Sequence, residues 1–107
     1  MAMKISPAVP ALKDAGQKTI TTAGTSVLLS ANTIADEVTI KALSTNVGSV
    51  WVKPNGVAGA NYQTTGFELR PGEVVTSELR SNLNEIALDT STNGNIVCFI
   101  YVAHEGR

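Results

Sequence analysis

The side chains able to do chemistry in this chain are few and scattered. His104 is the one histidine and Cys98 the one cysteine among 107 residues. A general base has to be oriented by a second group and held in a pocket, whereas His104, flanked by Glu105 and Gly106, reads as a solvated residue. One His and one Cys do not make the tetrahedral ligand set of a zinc site; only a trimer gathering three copies of His104 on its axis would come near it. Cys98 lies in the most apolar run of the chain and is expected to be a buried small hydrophobe. It has no basic neighbour in sequence to favour a thiolate. A lone cysteine forms no internal disulfide, which fits a reducing compartment.

The carboxylates give no stronger signal. Asp14, Asp36, Glu37, Glu68, Glu73, Glu78, Glu85, Asp89 and Glu105 are spread over strand edges and turns. A glycosidase pair meets only in space, but such clefts are generally lined with aromatics, and this chain has one Trp, two Tyr and two Phe. No D-x-[DN]-x-[DN]-G calcium loop occurs. Gly56, Gly59 and Gly66 fit neither G-x-x-x-x-G-K-[ST] nor a G-x-G-x-x-G that opens a helix, so they read as loop hinges. The inventory favours a protein that is not an enzyme, with no catalytic residue, cofactor or metal assigned. A small enzyme or cupin-like domain is the weakest reading, because it lacks a histidine cluster.

Contact residues are easier to nominate. Val50 and Val52 alternate around Trp51, which places Trp51 on the opposite face with Ser49 and Lys53. There it serves as an interface anchor, a sugar-stacking platform or ordinary packing. The loop from Pro54 to Gly66 is long for a hairpin, and loops of that length are usually functional or ordered by a partner. Tyr62, at its middle, is either a contact residue or folded back over the sheet. The N-terminal segment supplies Ile5, Pro7, Val9, Pro10 and Leu12. Its prolines favour extended geometry over a helix, and it reads as an arm that grips a neighbour or as a loose tail.

The elements that carry these residues are strands. Residues 1–17 are expected to form the extended arm and residues 18–107 one domain. Thr19–Thr22 and Ser26–Leu29 are short strands, and Asn32–Glu37 has room for one helical turn. Val38, Ile40 and Ala42 share one face, with Thr39 and Lys41 on the other. Phe67–Leu69 alternates again, and Pro71-Gly72 suits a type II turn. Val74–Leu79 and Glu85–Asp89 follow, the latter with Ile86 and Leu88 on one face. Asn93-Gly94 turns the chain into Ile96–Val102. That run is apolar on both parities, so it is expected to be covered on both faces, as a central strand or against another subunit. About eight short strands with turns between them predict an all-β, antiparallel β-sandwich or jelly-roll-like domain.

Composition agrees with this picture. Charged residues are 16% of the chain, below the usual quarter, and Thr, Ser and Asn supply the polarity, which favours strands. The length is enough for one domain with its own core. A net charge of −1 leaves no basic stripe for nucleic acid. The longest apolar run, Ile96 to Ala103, falls far short of the roughly 20 residues that cross a bilayer, so no membrane association is expected. The N-terminus lacks the continuous apolar stretch of a signal peptide, and intracellular synthesis is expected.

Three strings carry a family resemblance: V-T-I-K-A-L-S-T-N-V-G-S-V-W-V-K-P, G-F-E-L-R-P-G-E-V-V and L-N-E-I-A-L-D-T-S-T-N-G. An Asn-x-Gly turn between strands, an L-x-P-G-E turn and an L-N-x-I strand before a Gly-containing turn resemble small virion proteins of tailed bacteriophages, over roughly residues 36–103. The resemblance implies a structural part of the particle: a head decoration or cement protein, a head fibre or a tail component. It implies self-association, with a trimer favoured, contact with the major capsid protein or another virion protein, and a place in the virion after synthesis in the host cytoplasm. It implies no activity and does not cover the arm. The alternative is a carbohydrate- or receptor-binding module of a phage fibre or tail, using Trp51, Tyr62 and the loop of residues 54–66.

Overall fold

A computed structural model of the chain describes residues 13–103. It is all-β, with strands β1 (Lys13–Ile20), β2 (Val27–Leu28), β3 (Ile34–Ala42), β4 (Val50–Pro54), β5 (Phe67–Leu69), β6 (Val74–Asn82), β7 (Ile86–Thr90) and β8 (Asn95–Ala103). They form two four-stranded sheets, in the orders β1-β8-β3-β6 and β2-β7-β4-β5. Every pairing is antiparallel. Among the described residues no helix is long and apolar enough to cross a membrane.

The two sheets share one core. Ile20, Ala35, Val38, Ile40, Ala42, Val97 and Phe99 enter it from the first sheet, and Val50, Val52, Leu69, Ile86 and Leu88 from the second. The alternation expected for β3 is met, and it extends further than the pattern alone allows. Ala35 and Val38 are both buried although they lie on opposite parities. Both ladders of β3 shift register between Ala35 and Glu37, and this bulge turns Ala35 back to the core side.

The turns follow their residues. Gly72 has φ 87°, as the second central residue of a type II turn requires. The Glu73 N–H donates to the Arg70 carbonyl at 2.9 Å, and the Glu73 carboxylate takes the Arg70 N–H at 2.8 Å. The R-P-G-E string is therefore a turn closed by both backbone and side chain. Asn46 accepts the Ile96 N–H and donates to the Ile96 carbonyl, each at 2.8 Å. Asn95 does the same to Val47, at 3.0 and 2.7 Å. This pair of asparagines ties the β3–β4 turn to the start of β8.

Some expectations need correction. Lys13–Gln17, counted above with the arm, lie in β1, because they continue the ladder with β8 from Lys13 opposite Val102. Residues 1–12, and with them Ile5, Pro7, Val9, Pro10 and Leu12, lie outside the described residues, as does His104. The helical turn is not at Asn32–Glu37, most of which is β3. It is a 3-10 turn at Leu83–Glu85, where the Asn82 side chain accepts the Asn84 N–H. β8 is an inner strand, between β1 and β3, but within the chain only one of its faces is buried; the strand whose five residues are all buried is β7.

Candidate functional site

The two sheets present different outer faces, and the difference originates in a few side chains. On the second sheet, alternation sends Trp51, Asp89, Ala87 and Glu68 outward, with Trp51 between Asp89 and Glu68 in the ladder. Asp89 is nonetheless 0% exposed. Its carboxylate accepts the N–H groups of Gly24 at 2.9 Å, Tyr62 at 2.8 Å and Thr90 at 2.7 Å. A buried charge is tolerated when donors surround it, and here they come from two loops and its own strand. Ser26, also buried, donates its hydroxyl to the Val57 carbonyl at 2.7 Å and accepts the Ala60 N–H at 3.0 Å.

These bonds fold the long loop after Pro54 down over β7. The Gly56 N–H reaches the Glu85 carbonyl at 3.1 Å, the Gly59 N–H reaches Ser26 at 2.9 Å, and the Gly66 N–H reaches Tyr62 at 2.9 Å. The Tyr62 hydroxyl accepts the Val57 N–H at 3.0 Å, so Tyr62 is a staple within the loop. Gln63 adds a bond to the Thr90 carbonyl at 2.9 Å. Trp51 is half-buried, and a Cβ on Gly66 would stand 2.8 Å from the Trp51 Cβ, so the end of the loop lies against it. The Ser49 hydroxyl donates to Glu68 beside it. The structure thus brings Trp51 and Tyr62 to the same face of the second sheet and uses Tyr62 to hold the loop closed.

The first sheet is different. Its outward residues are Ile96, Cys98, Ile100 and Val102 on β8, flanked by Ala15, Gln17 and Thr19 on β1 and by Glu37, Thr39 and Lys41 on β3. Val74 and Thr76 extend this face onto β6. No described residue covers it: Ile100 is 49% exposed and Val74 52%. An open depression of about 510 Å³ runs between Ala15, Gln17, Thr39, Lys41, Val74 and Ile100. Cys98 lies in this depression, half-buried, rather than in the core. Its ladder partners are Gln17, whose side-chain amide donates to Sγ at 3.7 Å, and Lys41.

A second groove, of about 260 Å³, opens between the sheets, where Phe67 and Pro54 face Val75 and Ser77. Among the described residues, no three His, Cys, Asp or Glu side chains gather as a metal site would require. The uncovered side of β8 holds none of the contact residues nominated from the sequence. Its signal was the two-sided apolar run itself, in which one parity serves the core and the other forms an exposed stripe. A search against protein-family models finds no match, and a comparison with curated proteins finds none either, so the chain's own surfaces carry the functional reading.

Proposed function

We propose that the chain is a non-enzymatic structural protein of a phage virion, a decoration or cement subunit that binds the head. The observation that carries this is the contrast between the outer faces. One is closed by hydrogen-bonded loops, while the other leaves an apolar central strand open to solvent. An exposed apolar stripe rimmed by polar residues suits attachment to another protein surface. The strand orders add to this, since they fit an eight-stranded jelly roll of two packed sheets, an architecture used by viral shell proteins as well as lectins and cupins. Fold alone does not choose among those. In this proposal the N-terminal residues make a further contact with a neighbouring subunit.

The carbohydrate-binding alternative draws less support, because Tyr62 is committed to the loop and Trp51 is partly covered. The test is binding of the purified chain to phage heads that lack it. Ile100→Lys is expected to weaken binding roughly ten- to hundred-fold, the range for losing a central apolar contact. As Ile100 is about half exposed, the folded domain should lose only about 1 kcal/mol. Unchanged binding by a folded Ile100→Lys variant, or absence of the chain from purified particles, overturns the proposal.

A further inference from the structure

We propose that the free edge of β1 pairs with β1 of a second copy, antiparallel about a two-fold axis at Gly16. In the first sheet β1 is bonded to β8 on one side. Among the described residues no strand pairs with its other side, and the Ala15 N–H donates to the Asp14 carboxylate at 2.8 Å, a local bond that a partner strand and its Lys18 would replace. An eight-residue strand with an unpaired ladder is a template for another strand, and proteins usually blunt such edges with proline or opposing charge. This strand, K-D-A-G-Q-K-T-I, has no proline, and its charges favour one register over the others.

Ile20 points into the core, so Asp14, Gly16 and Lys18 share its face by alternation. With Gly16 opposite Gly16, Asp14 of each copy falls opposite Lys18 of the other, and Ala15 falls opposite Gln17. Two opposite-charge pairs then form at once. The core faces of both copies stay on one side only if the register moves in even steps. The next step either way sets Asp14 or Lys18 against Gly16 and loses both pairs. The step after that sets Asp14 against Asp14, or Lys18 against Lys18. The strand is thus self-complementary about Gly16 and discourages its own slippage.

The centre of the pair is shaped for close approach as well. A Cβ on Gly16 would lie 2.7 Å from Phe99 Cζ, so the Phe99 ring leans over β1 toward the proposed axis. The two-fold brings the rings of both copies to adjoining positions on the core side. On the other side it places two apolar stripes of β8 in one continuous sheet, which doubles the open face of a single chain. The resemblance to phage proteins implied a trimer, whereas this edge is built for two.

The test uses the free chain in solution, so its outcome is independent of any virion role. Sedimentation equilibrium should show a dimer that weakens as salt screens the charge pairs. Lys18→Glu sets like charges opposite each other twice and should weaken the dimer about ten-fold or more. Asp14→Lys combined with Lys18→Asp restores both pairs and should recover dimerisation, with far-ultraviolet circular dichroism confirming the fold. As a second readout, Ala15→Cys with Gln17→Cys in a Cys98→Ser background should give an intermolecular disulfide on oxidation. A chain that stays monomeric up to millimolar concentration overturns the proposal. So does a trimer indifferent to both charge variants, a charge exchange that fails to restore pairing, or the absence of the cross-linked dimer.

Discussion

Asp89 ties the backbone of two loops to its own strand. Its two oxygens collect donors from Gly24, Tyr62 and Thr90, joining the turn after β1 to the long loop and to β7. Asp89→Ala leaves three N–H groups without their acceptor at a site closed to water. Each unsatisfied donor costs roughly 1–3 kcal/mol, partly relieved if the loop lifts and admits water, so a loss of about 3–5 kcal/mol is expected in urea unfolding. Hydrogen exchange should show the Tyr62 amide losing protection before the core strands do. In the sequence Asp89 is one acidic residue among nine, and nothing near it announces its role. Its partners at Gly24 and Tyr62 are distant in the chain, and they are backbone groups, which carry no residue signature. The asparagines 46 and 95 were hidden for the same reason.

At the scale of elements, the strands with clean alternation were legible and those with mixed burial were not. β3 and β4 write their core faces directly as Val38, Ile40, Ala42, Val50 and Val52. β7 does not, because Asp89 and Thr90 look like a solvated end and yet are buried under a loop whose path no periodicity encodes. β8 is apolar on both parities and is an inner strand of its sheet, yet within the chain only one parity enters the core. Turn chemistry carried further, since Pro71-Gly72 fixed the type II turn between β5 and β6. Gly72→Ala forces a side chain into φ 87°, and nothing lies near the added Cβ. The cost is therefore conformational alone, about 1–2 kcal/mol. Thermal unfolding measures it, and an unchanged midpoint would mean that the turn relaxes to another type.

For the molecule as a whole, the sequence carried the fold class, because eight alternating segments with turn residues between them leave few other solutions. It did not carry the open face, which depends on which strand becomes central and which loop folds over which sheet. Trp51 and Tyr62 lie on one side of the second sheet, whereas the exposed apolar stripe lies on the other sheet. Ile96, Cys98, Ile100 and Val102 could be assigned to that side only once β8 was placed between β1 and β3.

Lys13 stands opposite Val102 in the β1–β8 ladder, so the first and last strands are neighbours although nearly the whole domain separates them in sequence. A chain built this way closes its largest loop to complete one sheet, and such long-range pairing slows folding into the range of milliseconds to seconds. A circular permutant that joins residues 103 and 13 by a short linker and opens the chain at Gly59 makes that pairing local. Stopped-flow refolding should then be faster for the permutant than for the natural order if the β1–β8 pairing limits the rate. An unchanged rate would locate the slow step in another pairing.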